Sequence, residues 1–183
     1  MAIRAFVAIE LGEELRAALV ALIERLRPQV RGARWVAPAG IHLTLRFLGW
    51  TEVEVLQRLG PGLREAAAAC DACQARVGGL GMFPERGAPR VLWVGLQLPE
   101  PIRALQQACE AMALAAGFEA EERAFKPHLT LARFRDRLPR PTLPPFEFGP
   151  APLSRLVLYR SELKPGGAVY TPLEVFPLRG AAA

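Results

Sequence analysis

The chain is poor in several residue types, and these scarcities exclude whole classes of protein. Its 183 residues include three cysteines, an odd and small number that does not build the disulfide framework of a small secreted domain. No apolar run approaches the roughly 18 residues of a membrane-spanning helix, and the N-terminal segment turns acidic too early for a secretory signal. We therefore expect a cytoplasmic protein with no membrane partner.

Two further scarcities carry little functional information. Asparagine is absent and only two of the 23 basic residues are lysine, a bias typical of a GC-rich genome. Cys70 and Cys73 have the spacing of a redox or zinc motif. Because the chain has no second cysteine pair and no histidine nearby, ordinary packing is the better interpretation of these two thiols.

The residues that are present describe a globular, basic protein. Hydrophobic residues make up 51% of the chain, enough for the core of one domain or of two closely packed halves. The formal net charge is +5 and the pI is about 9.7, which favours an anionic partner.

Histidine is the most informative scarcity. The chain has two, His42 and His128, and each begins the tetrapeptide His-Leu-Thr-Leu, at 42–45 and 128–131. On a β-strand successive side chains point to opposite faces, so the leucines are expected in a core while His and Thr share the other face. Coincidence in a leucine-rich chain explains two Leu-Thr-Leu strings, but not that they capture both histidines.

Hydrophobic periodicity predicts an alternation of strands and helices around the two motifs. A capping box formed by Thr51 and Glu54 is expected to start a helix that Gly60-Pro61-Gly62 divides into two. The proline-rich stretch 138–152 is expected to be a loop or an extended connection. The other predicted strands are 2–10, 34–36, 41–48, 74–80, 90–96, 154–162 and 170–178, and the other predicted helices begin at Glu13 and Pro101.

The spacing of the motifs suggests an internal duplication. The histidines lie nearly half the chain apart, and similar elements surround both. We expect a single bilobal catalytic domain over residues 1–180, in which two α+β lobes each contribute one His strand to a shared cleft, and a disordered tail at 181–183.

Paired imidazoles suit acid–base chemistry at phosphorus. Their pKa lies near neutrality, so one can remove the proton of a nucleophile while the other protonates the leaving oxygen. Threonine hydroxyls and an arginine can donate to the other phosphate oxygens. A catalytic zinc wants three protein ligands, which the motifs do not supply, and no phosphate loop with a lysine is present. We therefore expect no metal and no cofactor. Two histidines merely packed in a core would leave the paired threonines unexplained.

These stretches resemble the 2H phosphoesterase superfamily, and more closely its RNA 2′,3′-cyclic phosphodiesterases, also called 2′-5′ RNA ligases. The resemblance covers nearly the whole chain. It rests on the two motifs with their flanks and on two further stretches, at 41–49, 90–96, 125–133 and 158–163, followed by Tyr170. It implies an α+β fold of two pseudo-symmetric lobes with antiparallel sheets around a central cleft. It also implies metal-independent opening of a 2′,3′-cyclic phosphate at an RNA end, for example of a tRNA fragment, to a 2′-phosphomonoester by a monomer.

The resemblance also implies roles for single residues. His42 would be the general acid on the ribose O3′, and His128 the base that activates water. Thr44, Thr130 and Arg133 would hold the phosphate. Strict alternation places Arg133 on the leucine face, so it reaches the cleft only if the strand ends, twists or bulges there. Charge and position make Arg46 and Arg135 candidate RNA contacts.

Two alternatives stay open at the level of the sequence. The same site could use an RNA 5′-hydroxyl in place of water, which gives 2′-5′ ligation without ATP because the cyclic phosphate is already activated. No Lys-x-Asp-Gly motif of an ATP-dependent ligase is present. The other alternative is a protein that binds RNA ends or nucleotides without catalysis, although such a protein would not need two acid–base groups.

Overall fold

The structure, a computed structural model, describes residues 1–181. Alternating and helical hydrophobic patterns produce nine strands and three α-helices within this range. In chain order they are β1 (Ala2–Ile9), α1 (Glu13–Leu26), β2 (Ala33–Trp35), β3 (Leu43–Glu52), α2 (Val53–Ala69), β4 (Cys73–Phe83), β5 (Val91–Gln97), α3 (Glu100–Ala115), β6 (His128–Phe134), β7 (Glu147–Leu153), β8 (Arg155–Lys164) and β9 (Gly167–Pro177).

The strands form two antiparallel sheets, one for each lobe. Sheet 1 has the order β3-β1-β8-β9, and sheet 2 has the order β2-β6-β5-β4-β7. Helices α2 and α3 pack together and against sheet 1, while α1 contacts the edge strand β7 of sheet 2. The first histidine motif leads into β3 and the second into β6, and these two strands contact each other. The expected α+β fold of two lobes is confirmed.

The two faces of sheet 1 have different surroundings. On β1, Val7 and Ile9 enter the main core, which is continuous through both lobes. Phe6 and Ala8 face the other way and form a small second cluster with Val157 and Tyr159. Strand alternation therefore gives sheet 1 a helix-covered face and a second face with its own apolar patch, on which the first histidine lies.

Helix α2 differs from the sequence-based expectation, because it runs unbroken through Gly60-Pro61-Gly62. Proline removes one helix hydrogen bond, but buried leucines on both sides of it hold the helix against its neighbours. The glycines permit close packing: a Cβ on Gly62 would lie 2.8 Å from Sδ of Met112, and one on Gly60 would lie 3.0 Å from Oε2 of Glu174. Tertiary packing thus overrides the local breaking signal.

One other local expectation is wrong, and another is made more specific. Thr51 does not cap α2, because β3 extends to Glu52 and the Thr51 hydroxyl donates to the Leu48 carbonyl (3.0 Å). The proline-rich stretch contains β7, with Pro150 and Pro152 inside the strand. Since β7 is an edge strand, proline can be accommodated there at the cost of fewer ladder hydrogen bonds.

The C-terminal residues bear on the expected disordered tail. The N–H of Ala181 donates to the Leu178 carbonyl (3.1 Å), and residues 182 and 183 of the expected tail lie outside the described residues. Across residues 1–181, none of the helices combines the length and apolar character that a membrane crossing requires.

Candidate active site

His42 lies just before β3, on a bed of aromatic rings. A short 3-10 turn at Pro38–Gly40 precedes it. Its imidazole stacks on Phe6 (4.6 Å between ring centroids, 24° between planes) and meets the edge of Tyr170 at 5.0 Å. Tyr159 in turn stacks on Phe6, with 5.2 Å between their ring centroids. These contacts hold the imidazole plane in one orientation.

His128 is the first residue of β6, and its tautomer follows from one contact. Its Nδ1 lies 2.7 Å from the backbone carbonyl oxygen of Lys126. Since a carbonyl oxygen only accepts, Nδ1 carries the hydrogen and the neutral ring keeps its lone pair on Nε2. Phe83 meets the ring edge-on at 5.1 Å, and Trp93 lies at 6.4 Å. His128 thus has a defined orientation and a basic nitrogen that this contact does not use.

The electrostatic setting of the protein alone favours two neutral imidazoles. Burial lowers the pKa of His42 to about 4. A hydrogen bond with the backbone of Gly40 raises this pKa, and the charges of Arg16 and Arg133 lower it. Burial also lowers the pKa of His128, opposed by the backbone of Lys126 and again assisted by Arg133. In each copy the supporting backbone group belongs to the residue two positions before the histidine. The charge of Arg133 thus contributes to lowering both pKa values.

Arg133 faces the cleft because β6 bulges at Leu131. The pairing of β5 with β6 runs from Leu92–Ala132 directly to Trp93–Thr130 and leaves Leu131 as an extra residue. The Leu131 carbonyl accepts a hydrogen bond from Val36 (2.8 Å). Leu131 and Ala132 are therefore both buried, and Arg133 emerges on the exposed face that His128 and Thr130 share. Strict alternation would have placed Arg133 on the leucine face, and the extra residue Leu131 shifts the alternation by one position.

The first motif bulges at the equivalent position, with the opposite result for its arginine. Pairing of β1 with β3 runs from Val7–Arg46 to Ala8–Thr44 and leaves Leu45 as the extra residue. Arg46 therefore shares the core side with Val7, and Phe47 takes the cleft-side place that Arg133 has in β6. Phe47 lies 6.0 Å from Phe6.

The prediction that Arg46 contacts RNA is accordingly corrected. Its side chain is only 5% exposed, and its guanidinium is bound on the protein side. Nη1 lies 2.6 Å from a carboxylate oxygen of Glu121, and Nη2 donates to the Glu119 carbonyl. Nε lies 2.8 Å from Oε2 of Glu110, an ion pair without the alignment of a hydrogen bond. Arg46 ties β3 to α3 and to the loop after it.

The remaining predicted residues lie on or beside the cleft face. Thr44 and Thr130 are partly buried on the same sides of their strands as the two histidines, while the leucines between them are buried. Arg135 is exposed just beyond β6, and its carbonyl accepts a hydrogen bond from Arg90 (2.8 Å). A direct contact of Arg135 with RNA stays a prediction.

Sequence reasoning noted the stretches that contain Tyr159 and Tyr170 but gave no role to these tyrosines, nor to Arg34 and Arg16. Tyr159 and Tyr170, which surround His42, are the only tyrosines in the chain, so the scarcity that singled out the histidines also applied to them. Arg34 pairs opposite Arg133 across β2 and β6 and donates to the Pro165 carbonyl (2.6 Å). Arg16 anchors to the carbonyls of Pro38 and Leu11. No local pattern marked either arginine.

Metal-ligating residues do not gather at this site. Within residues 1–181 no group of three or more His, Cys, Asp or Glu side chains is placed to hold a metal ion. The three cysteines lie away from the histidines, and burial raises the pKa of Cys70 to about 11 and that of Cys109 to about 12. Thiols of this kind stay protonated at neutral pH and serve as packing groups.

Two contacting strands from two antiparallel sheets, each led by a His-x-Thr motif, are the feature of the class of two-histidine phosphoesterases. Comparison with known proteins narrows the class. The profile of the 2′-5′ RNA ligase superfamily matches residues 13–163, and the chain belongs to this superfamily.

The chain is similar to several curated proteins along almost its whole length. It is 41% identical over 184 residues to the RNA 2′,3′-cyclic phosphodiesterase of Thermus thermophilus, covering 97% of this chain and 91% of that protein. It is 33% identical to the protein of the same name from Methanothermobacter thermautotrophicus, covering 97% and 100%. The crystal structure of E. coli LigT with 3′-AMP superposes with a TM-score of 0.84 at 28% identity, covering 97% of this chain and 99% of LigT.

Proposed function

We propose that the protein is an RNA 2′,3′-cyclic phosphodiesterase that uses His42 and His128 as its general acid–base pair. The observation that carries this proposal is that β3 and β6, each led by a His-x-Thr motif, contact each other, with the leucines of both motifs buried and their His and Thr side chains on the other face. A cationic guanidinium near two neutral imidazoles is an arrangement suited to an anionic phosphate with a proton-transfer group on either side.

The reaction follows from these positions. Nε2 of His128 accepts a proton from water as the water oxygen bonds to phosphorus. The bond between phosphorus and O3′ breaks, and O3′ takes a proton from His42. The product is a 2′-phosphomonoester. Two proton transfers in opposite directions leave the sum of charges on the histidines unchanged, which suits a site that uses no metal.

His42 must be protonated when it acts as the acid, although its pKa in the protein alone is about 4. A bound cyclic phosphate supplies a negative charge that favours the imidazolium form, and it also offsets the repulsion from Arg133. We therefore infer that substrate binding itself loads the proton on His42. Arg133 donates to the non-bridging oxygens, joined by the hydroxyls of Thr44 and Thr130.

The relatives support this proposal. Three curated proteins that are 41%, 33% and 29% identical to the chain are named RNA 2′,3′-cyclic phosphodiesterase. LigT has been crystallised with 3′-AMP and with phosphate, and the two structures are 28% and 27% identical in sequence to this chain. A nucleotide and its phosphate are the parts of an RNA end that the proposed reaction uses.

The test is turnover of a short oligonucleotide with a 2′,3′-cyclic phosphate end, with separation of 2′- and 3′-phosphate products. We expect a 2′-phosphate. His42→Ala and His128→Ala should each lower kcat/KM by about 10²- to 10⁴-fold, as loss of one acid–base group typically does. Gln107→Ala, an exposed position on α3, is the matched control. Near-wild-type turnover by either folded histidine variant would refute the two-histidine mechanism.

A second candidate is 2′-5′ ligation, favoured by the description of the superfamily to which the chain belongs. An RNA 5′-hydroxyl would replace water as the nucleophile and His128 would deprotonate it, without ATP. Supplying a 5′-hydroxyl oligonucleotide beside the cyclic-ended one distinguishes the two reactions. A joined product with a 2′-5′ linkage demonstrates ligation, and its absence at saturating acceptor leaves hydrolysis alone.

A further inference from the structure

The cleft face of sheet 1 continues along β3 beyond the catalytic residues. In the pairing of β1 with β3, Phe6 lies opposite Phe47 and Arg4 lies opposite Trp50. A second bulge at Leu48, followed by Gly49 with φ +67°, keeps Trp50 on the same side of the sheet as Phe47. We name Phe47 and Trp50 the aromatic stripe. It begins beside Phe6, on which His42 stacks, and leads away from the histidine.

The aromatic stripe is unusually exposed. Trp50 is 74% exposed and Phe47 is 52% exposed, and no other aromatic side chain among residues 1–181 is exposed to this degree. The same strand buries Leu43, Leu45 and Leu48 on its other face, so it contributes fully to the core without these rings. Large aromatic surface left in water beside a functional cleft indicates a binding surface.

The charge beside the stripe indicates an anionic occupant. Arg4 shares the face with Trp50 and has no carboxylate in an ion pair with it among the described residues, whereas the next carboxylate on this face, Glu52, is paired with the N-terminal ammonium (2.6 Å). Aromatic rings on which bases can stack, next to an arginine that can bind phosphate, are the components of a surface for single-stranded nucleic acid. Residues on one face of a strand lie about 7 Å apart, so each ring can take a separate base.

We propose that the aromatic stripe and Arg4 form a track for single-stranded RNA. The proposal rests on the proposed function. A 2′,3′-cyclic phosphate is the 3′ end of its strand, so every other nucleotide of the substrate is attached through the 5′ side of the reacting ribose. The track receives these nucleotides: bases stack on Phe47 and then on Trp50, and Arg4 contacts a backbone phosphate.

The test compares a cyclic mononucleotide with a tetranucleotide that carries the same cyclic end. Trp50→Ala should lower kcat/KM for the tetranucleotide by about 5- to 100-fold, the usual loss for one stacked base. The mononucleotide does not extend to Trp50, so its kcat/KM should change by less than about twofold. Trp50→Phe keeps a stacking surface and should restore most of the loss. Val20→Ala, an exposed apolar position on α1, is the control.

Arg4→Gln tests the charged part of the track. Loss of one phosphate contact should reduce the slope of log affinity against log salt by about 0.7 for single-stranded RNA.

Equal effects of Trp50→Ala on both substrates, or no effect on either, would overturn the track.

A binding measurement separates this proposal from the proposed function. Fluorescence anisotropy of a labelled tetranucleotide with a 2′-phosphate end needs no catalysis. Weaker binding by Trp50→Ala supports the track even if the wild-type protein hydrolyses nothing, an outcome that would refute only the proposed function. Unchanged binding by Trp50→Ala refutes the track even if hydrolysis is observed.

Discussion

At the scale of single residues, the site is a small set of rings and charges in which one arginine influences two histidines. The orientation of each imidazole is fixed by neighbours, aromatic rings for His42 and a backbone carbonyl for His128. Burial and Arg133 then lower both pKa values. Because the two groups share one cation, their protonation responds together to any change at Arg133.

The pH dependence of kcat/KM follows from these pKa values. This quantity reports ionisations of the free enzyme, in which the pKa of His42 is about 4 and that of His128 lies below its ordinary 6.5. The reactive form needs one imidazole protonated and the other neutral. We therefore expect an optimum below pH 6.5 and a decline of about tenfold per pH unit above pH 7. An optimum at or above pH 7.5 in the rate profile would contradict these assignments.

Substitution of Arg133 extends this prediction. Arg133→Gln removes a positive charge that lowers both pKa values, so both should rise and the alkaline limb should move to higher pH. Turnover should fall by a factor on the order of 10², because a donor to the phosphate is lost. Arg133→Lys keeps the charge without the planar fork, so it should lower turnover and leave the alkaline limb in place.

At the scale of elements, a bulge at the same position in β3 and β6 gives the two strands different functions. After Leu131 the bulge directs Arg133 to the cleft, and after Leu45 it directs Phe47 there and Arg46 to the core. The cleft is therefore cationic on one side and aromatic on the other. Origin of the two lobes by internal duplication stays a prediction, and the matching bulges are what such an origin predicts.

The buried arginine of β3 yields a stability prediction. Arg46→Ala leaves the largely buried Glu110 without its cation and should destabilise the fold by about 3–5 kcal/mol in chemical unfolding. Glu121→Gln, at a half-exposed carboxylate, should cost at most about 1 kcal/mol. The double variant Arg46→Met, Glu110→Leu should recover most of the loss. A cost below about 1 kcal/mol for Arg46→Ala would show that the ion pair contributes little.

At the scale of the whole molecule, two sheets share one hydrophobic core, and the two strands led by the histidine motifs contact each other. The core includes helices and strands of both lobes, so the lobes pack as one unit. The net charge of +5 suits an RNA substrate. Monomeric state, cytoplasmic location and tRNA fragments as substrates stay predictions.

Metal independence is a prediction for the whole enzyme. All the proposed chemistry uses imidazole, hydroxyl and guanidinium groups, so exhaustive treatment with EDTA should leave kcat/KM unchanged within about twofold. Elemental analysis of the active protein should find no stoichiometric transition metal. Loss of turnover on chelation, with recovery on adding one metal, would contradict the prediction.

Local side-chain patterns were enough to predict the two histidine strands, the α+β class and most element positions, because side-chain alternation and helical periodicity are local properties. The sequence also identified the motif residues, since both histidines fall in one repeated tetrapeptide. The tertiary structure decided which face each arginine takes. A bulge depends on pairing with another strand, so neither the exposure of Arg133 nor the burial of Arg46 could be derived from alternation.

The same distinction explains the other differences from the sequence-based expectations. The continuity of α2 through Pro61 and the strand within the proline-rich stretch depend on neighbours distant in sequence, against which local helix-breaking and strand-breaking signals are weak. The pKa values depend on burial and on charges brought from α1 and β6 to one place. Local patterns specified the candidate acid–base groups, and only the packing of two sheets specified their orientation, their charge and the surface beside them.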